Sequence, residues 1–308
     1  MIILVTGASG QLGTLVVRKL QTKKYKIIGI SRKYEKELNF SSPLYTHIKL
    51  DIKNKKKLSL EINKINPDVI FHLAAYIPKS KKKSCYNKSY KNNLIATKNI
   101  LEVCKNLKSL KKIVFTSSIS VHPLKNNYPI EYSEKNNPTP DGFYGRHKLK
   151  CETELKKWTS ISKKTSIVLR LSGLHGKSRK SGVIYNFYKS AVNHKRIFIE
   201  KPFFHYSFLF LDDAAEAFIN ILTLSEIKGF NIYNISGKNI INLKELATKI
   251  RMNIRNKKNI KLKVSDNELK NYSTLSILKA KKEISWQPKQ FNKRLSEVCK
   301  YWSKYDKQ

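Results

Sequence analysis

Short runs of apolar residues separated by amphipathic stretches organise the first 171 positions. "IILV" (2–5) is followed by a helical pattern through Leu15, Val16 and Leu20, and then by the apolar runs "KIIGI" (26–30) and "HIKL" (47–50). A helix is expected from about Lys55 to Ile65, ending before Asn66-Pro67, because the residue ahead of a proline is steered away from helical backbone. "DVIFHL" (68–73), a helix through Leu94, Ile95, Ile100 and Val103, and "KIVFTSS" (112–118) come next. A long helix from about Tyr144 to Thr159 and the run "SIVLRL" (166–171) complete the series. Strands that alternate with helices at this pitch predict an α/β fold: a doubly wound parallel sheet of Rossmann type, covered on both faces.

Beyond about residue 173 the pattern loosens. "FLFLDDAAEAFINIL" (208–222) passes from strand to helix, with Asp212 and Asp213 suited to the positive end of the helix dipole. "FNIYNISG" (230–237) reads as a strand closed by glycine, and "NLKELATKI" (242–250) as a capped amphipathic helix. The expected organisation is a nucleotide-binding domain over 1–173, to which 206–236 returns, and a smaller mixed α/β C-terminal substrate lobe from 174–205 and 237–308.

Composition narrows the class. The 308 residues are 40% hydrophobic and 10% aromatic, enough for a large core. No apolar run approaches the roughly 18 residues of a membrane span. "MIILVTGASGQLG" has no basic stretch ahead of its apolar run and reads as a first strand, not a signal peptide. Cys85, Cys104, Cys151 and Cys299 form no CxxC pair, so reduced thiols in a cytoplasmic protein are expected, with no metal site and no disulfide framework. The net charge of +40 raises the question of nucleic acid. Yet only nine of the 62 basic residues are arginine, the lysines are spread from end to end, and no zinc-finger or basic-zipper spacing occurs. No specific nucleic-acid partner and no membrane partner are expected. A field of that sign can still steer phosphorylated substrates toward a cleft.

Candidate chemistry begins at "TGASGQLG", where Gly7, Gly10 and Gly13 lie between the first strand and the first helix. Glycines there permit a tight turn and close approach of a pyrophosphate, and the helix start offers unpaired N–H groups to its oxygens. The second strand runs into Ser31, Arg32 and Lys33, where the usual fingerprint has a carboxylate for the ribose hydroxyls. A guanidinium without a carboxylate favours NADP over NAD; the alternative reading of Arg32 is one more solvent-facing cation. In "DGFYGRHKLK" (141–150), Tyr144 and Lys148 stand four apart on one helical face. A lysine so placed favours the phenolate and equips the tyrosine for proton transfer.

With these motifs in this order, the chain resembles the extended short-chain dehydrogenase/reductase family, the NAD(P)-dependent epimerases, dehydratases and ketoreductases of nucleotide sugars. Asp51, "FHLAA" (71–75), "NNLIATKNIL" (92–101), "FTSSISV" (115–121), "YGRHK", "LRLSGLHG", "YNISG" and "ISWQP" all fall in the family's order. The resemblance implies Tyr144 as general acid/base, Lys148 as its tuner and ribose anchor, and Ser118 as the hydroxyl on the reacting sugar oxygen, with Ser117 the alternative serine. It implies cofactor contacts from Gly7, Gly10, Gln11, Leu12, Gly13, Ser31, Arg32, Asp51, Ile52, Leu73, Ala74, Ala75 and Asn93, together with Tyr144 and Lys148. A nucleotide-sugar substrate and a helix-paired homodimer are further implications.

The chain also departs from the pattern. Dehydratases of the family carry Asp-Glu after the catalytic serine or threonine, where this chain has Ile119 and Ser120, so a 4,6-dehydratase is not expected. His122-Pro123 replaces a Tyr-Gly pair, and Gly173-Leu174-His175-Gly176 lacks a usual asparagine. His122 and His175 are candidates for extra acid/base groups or for packing, and Arg179, Lys195 and Arg196 for diphosphate contacts. The readings left open are a nucleotide-sugar epimerase, an NADPH-dependent reductase of nucleotide-linked 4-keto-6-deoxysugars, and a non-catalytic NAD(P)-binding regulatory protein.

Overall fold

The computed structural model describes residues 1–33, 42–124, 130–224, 226–254, 260–265 and 273–305. The chain begins β1 (Ile2–Thr6), α1 (Gln11–Gln21), β2 (Lys26–Ser31), β3 (Tyr45–Lys49), α2 (Lys55–Ile65) and β4 (Val69–His72). It continues with α3 (Lys83–Ser89), a π-helical turn (Tyr90–Ile95), α4 (Ala96–Val103), β5 (Lys112–Ser118) and a 3-10 turn (Ile119–Val121). Then come β6 (Ile130–Tyr132), α5 (Phe143–Ser162), β7 (Thr165–Leu171), β8 (Gly173–His175), α6 (Val183–His194) and β9 (Arg196–Ile199). Next are β10 (His205–Phe210), α7 (Leu211–Thr223), β11 (Phe230–Ile235), β12 (Ile240–Asn242) and α8 (Leu243–Met252). β13 (Lys261–Val264), β14 (Ser273–Leu275), α9 (Leu278–Glu283) and α10 (Phe291–Tyr305) complete it.

Seven strands form one parallel sheet in the order β11-β7-β5-β4-β1-β2-β3. Their side chains alternate between two apolar layers. Ile3, Val5, Val114 and Leu169 face α1 and α7; Leu4, Ile113, Phe115 and Val168 face α2, α4 and α5. Burial on both sides is why the central strands β1, β2, β4, β5 and β7 read as near-continuous apolar runs, while the edge strand β3 is half-exposed and mixed. The strand order reverses beside β1, where β2 lies on one side and β4 on the other, and an open sheet of this kind binds ligands at the carboxyl ends there. Several helix ends are closed by lysine: Lys112 Nζ donates to the carbonyls of Ile221 (3.1 Å) and Leu224 (2.8 Å) at the end of α7, which suits a cation to a helix C-terminus.

A third apolar cluster joins α6, α8 and α10 around Trp302, which lies between Tyr185 and Tyr188 and donates its indole N–H to Lys177 O at 2.9 Å. Strand β10 pairs with β8 and β12 outside the large sheet, whereas β11 closes the sheet's edge. Asp213, in the first turn of α7, is held by Arg294 of α10 (Nε, 3.0 Å; Nη2, 2.5 Å), and this pins the last helix to the sheet domain. Among the described residues, no helix is long and apolar enough to cross a membrane.

Candidate active site

The glycine loop, the end of β2 and the segment after β4 enclose a cavity of about 280 Å³. Gly7, Gly10, Ser31, Arg32, Asp51, Ile52, Leu73, Ala74 and Ala75 line it, joined by Lys33 and Asn92, which the sequence reading had not placed there as contacts. Gly7 has φ +73°, and a Cβ on it would lie 2.8 Å from the backbone of Ala74. Only glycine fits between β1 and the segment after β4, so the floor of the cradle is backbone, as a pyrophosphate requires. Gln11, at the start of α1, donates to Ser178 O at 3.1 Å; Leu12 and Gly13 are buried in the first turn behind it.

At the outer end of the cavity, Ser31 donates to Lys33 O (2.6 Å) and pairs with His47 Nε2 (2.9 Å). Its hydroxyl is engaged by its own chain, and Arg32 and Lys33 follow it on a rim that Asn92 and the Asp51 carboxylate also line. Arg32 Nη1 reaches Asn92 Oδ1 at 3.2 Å. Asp51, on the adjoining loop, accepts from Lys53 N at 3.0 Å.

Behind the cradle lies a hydrogen-bonded chain with a definite polarity. Thr97 Oγ1 donates to Asn93 O (2.6 Å), so it accepts from His72 Nε2 (2.9 Å), and His72 Nδ1 accepts from Thr6 Oγ1 (2.7 Å). Burial, followed by the nearby Lys148 cation, pulls the His72 pKa down to about 3, so the ring stays neutral. Asn93 sits in the π-turn. Its side chain exchanges two bonds with the Tyr76 peptide (2.7 and 2.9 Å), and its carbonyl accepts from Thr97 and from Cys151 of α5. That carbonyl also takes the backbone N–H of Ala96 at the end of the π-turn, a local irregularity common at functional sites. The sequence reading expected only an Asn-bearing helix there.

Helix α5 brings the remaining candidates to the end of β5. Lys148 is buried, donates from Nζ to Thr116 O at 2.7 Å and lies 4.6 Å over the Phe115 ring. Burial lowers its pKa to about 8, with Cys151 and Glu152 opposing the shift. One turn earlier, Tyr144 adjoins Gly145, which is pressed against Ser120. Ser118 caps the 3-10 turn by accepting from Ser120 N (3.2 Å), with its own hydroxyl 3.2 Å from Ser120 Oγ. The start of α5, which carries the tyrosine and the lysine, therefore packs against the end of β5 and the turn that Ser118 caps. Burial, then Cys151, raises the Tyr144 pKa above the usual phenol value. The sequence reading expected Lys148 to favour the phenolate; burial acts on the phenol in the opposite direction.

The other candidates are dispersed. Ser117 points away from Ser118, toward α5, where it donates to Glu152 Oε1. His122 is fully buried, stacked on Tyr132 (4.2 Å, 7°) and 3.3 Å from Arg170 Nη1; these contacts give it a packing role. His175 packs edge-on against Phe208, and burial followed by Arg179 lowers its pKa to about 3. Gly173 is exposed on β8 beside His175, and Arg179 is half-buried in the loop that Gln11 holds. Lys195 and Arg196 are exposed at the start of β9 in the C-terminal lobe.

A family model described as the NAD dependent epimerase/dehydratase family matches residues 3–236. The chain belongs to the NAD dependent epimerase/dehydratase family. Among its relatives, the dTDP-D-glucose 4,6-dehydratase of Dictyostelium discoideum is 30% identical over 275 residues, 80% of this chain and 61% of that protein. The chain therefore spans less than two thirds of that relative's length. The dTDP-4-dehydro-6-deoxyglucose reductase of Escherichia coli is 27% identical and aligns along 93% of this chain and 92% of its own. Among solved structures, the UDP-glucuronic acid 4-epimerase of Bacillus cereus in complex with NAD superposes with a TM-score of 0.83 at 25% identity, covering 99% of both chains. The backbone floor of the cradle and the Arg32 and Lys33 side chains on its rim are compatible with a dinucleotide.

Proposed function

We propose that the protein is an NAD(P)-dependent epimerase or reductase acting on a nucleotide-linked sugar in the cytoplasm. What supports this reading is that α5, carrying Tyr144 and Lys148, packs against the end of β5 that carries Ser118, in a chain that also has a glycine cradle floored by backbone. When bound, the nicotinamide would supply a hydride donor or acceptor. Gly7, Gly10 and the start of α1 would hold its pyrophosphate, and Lys148 its ribose. Ser118 orients the sugar oxygen, and Tyr144, neutral at rest, donates a proton to that oxygen as it gains charge. In the reverse direction Tyr144 takes the proton back.

Among the family's reactions we favour a single reduction. The cationic rim of Arg32 and Lys33, with no carboxylate at the end of β2, suits the 2′-phosphate of NADP. The full-length similarity to the E. coli reductase points the same way. Epimerisation, which oxidises and re-reduces on the same residues, is the second reading and is supported by the likeness to the B. cereus enzyme. Dehydration needs an acid and a base across a C–C bond, and Ile119 and Ser120 supply no carboxylate next to Ser118, so we set it aside despite the Dictyostelium relative. A non-catalytic NAD(P)-binding regulator is disfavoured because all three reacting residues are present.

The test is nicotinamide absorbance followed over a panel of UDP- and dTDP-linked sugars and 4-keto sugars, with wild type and Tyr144→Phe. Loss of turnover with cofactor binding retained supports the reading; equal turnover by the variant would sink it. Net consumption of NADPH marks a reductase, and interconversion of sugars without net consumption marks an epimerase.

A further inference from the structure

Glu152 follows Lys148 by four residues on α5, as Lys148 follows Tyr144, so the three lie along one slowly rotating face of the helix. Its carboxylate is gripped by two strands at once. Arg170 donates through Nε to Oε1 (3.1 Å) and through Nη2 to Oε2 (2.7 Å), while Ser117 donates its hydroxyl to Oε1 (2.5 Å). Ser117 and Arg170 are direct register partners near the carboxyl ends of β5 and β7. All three residues are buried, with exposures of 3%, 3% and 2% for Ser117, Glu152 and Arg170.

A buried ion pair is a poor device for stability, because desolvation offsets its Coulomb gain and apolar residues of similar volume serve as well or better. What it adds is direction. A bidentate fork accepts one orientation and one register, whereas an apolar helix face can slide or rotate on a sheet. The register it sets here matters locally, because Lys148 Nζ reaches the carbonyl of Thr116, the residue just before Ser117.

We propose that Ser117, Glu152 and Arg170 are positioning residues: the clamp fixes the height and rotation of α5 on the sheet and so holds Lys148, and Tyr144 one turn further, at the cofactor corner. The proposal rests on the cofactor-site reading above. It assigns none of the three a contact with substrate or cofactor.

The test titrates the full-length protein with NADPH, reading nicotinamide fluorescence, alongside thermal melting. The variants are Lys148→Met, the paired Glu152→Met/Arg170→Met, the combination of all three, and Ser117→Ala with Ser117→Thr as its conservative rescue. The paired methionine variant is expected to melt close to wild type yet bind NADPH at least tenfold more weakly. Adding Lys148→Met to it should cost little more, since residues acting as one unit do not add. Ser117→Ala should weaken binding several-fold, and Ser117→Thr should restore it. Wild-type affinity in a folded paired variant, or a loss that adds in full to that of Lys148→Met, overturns the proposal. If the paired variant does not fold, the Ser117 pair decides alone: equal affinity for Ala, Thr and wild type overturns it. Unchanged affinity in Lys148→Met by itself would instead refute the cofactor-site reading, and the clamp with it.

Discussion

Gly145, between the two residues assigned to proton transfer and ribose binding, offers the sharpest perturbation of the site. A Cβ at this position would lie 1.8 Å from Ser120 O and 2.8 Å from both the Ser120 carbonyl carbon and Pro140 Cβ. An ordinary carbon–oxygen approach is near 3.3 Å, so the deficit is about 1.5 Å. The partner is backbone in a turn that Ser118 caps, so no rotamer change relieves it. Either the start of α5 or the Ser118–Ser120 turn must move, carrying Tyr144 or Ser118 with it. Replacing a helical glycine by alanine gains about 1 kcal/mol in propensity, while overpacking costs about 1–3 kcal/mol. The net loss for Gly145→Ala is therefore roughly 0–2 kcal/mol, a fall of at most several degrees in melting temperature. Displacement of a reacting group by about 1 Å costs on the order of 100-fold in rate. Activity should thus fall far more than stability. Gly142, three residues earlier, is the internal control: a Cβ there meets nothing within 4 Å and its backbone is extended (φ −114°, ψ 154°). The assay is melting temperature together with turnover of whichever sugar nucleotide the wild type accepts, for Gly142→Ala and Gly145→Ala in parallel. Wild-type turnover in Gly145→Ala, or equal damage from Gly142→Ala, would refute the reasoning.

Three further outcomes follow from the same site and its surroundings. Because burial lowers Lys148 to about pKa 8, its ammonium is lost as pH rises through that value; NADPH affinity measured by fluorescence should fall between about pH 7 and 9, and a flat profile would exclude Lys148 as an anchor. Arg32→Ala should weaken NADPH by about tenfold while leaving NADH nearly unchanged, as expected of a charge-assisted contact to a 2′-phosphate; equal effects on both would make Arg32 an ordinary surface cation. His72, His122 and His175 are held neutral by burial at pKa values of about 3, 4 and 3. The unfolded chain binds protons at these residues below about pH 6.5 while the fold does not. Stability should therefore decline from about pH 6.5 downward, by up to about 1.4 kcal/mol per pH unit for each group. Denaturant midpoints that stay constant from pH 7 to pH 5 would contradict this.

What could be read in the sequence, and what could not, divides along physical lines. The central parallel strands were legible because burial on both faces makes them near-continuous apolar runs, and the helix from Lys55 to Ile65 because Asn66-Pro67 ends it. The short strands of the C-terminal lobe were not. "KLKV" and "STL" are too brief and too mixed to show a period, and their pairing partners, β9 and β6, lie far off in the chain. The π-turn was hidden because it keeps an ordinary helical pattern; it is fixed by Asn93 capturing the peptide of Tyr76, a contact between separate elements.

The clamp had a visible signal that went unused. Arg170 interrupts an otherwise apolar strand, and a charge at such a position demands a buried partner. Glu152 lies eight residues after Tyr144 on the helix expected to cover that strand. The same reasoning separates the histidines from the catalytic set. His122 and His175 were candidates because the sequence showed their type but not their neighbours. An acid/base group must reach substrate or solvent to exchange its proton, and the His122 ring, fully buried and stacked on Tyr132, does neither, while His175, partly exposed on β8, packs edge-on against Phe208. Tyr144 also loses solvation, yet it stands at the carboxyl edge of the sheet beside the Ser118 turn. Its raised pKa and the lowered pKa of the histidines share one leading cause, burial, so position and not the shift is what separates the candidate tyrosine from them.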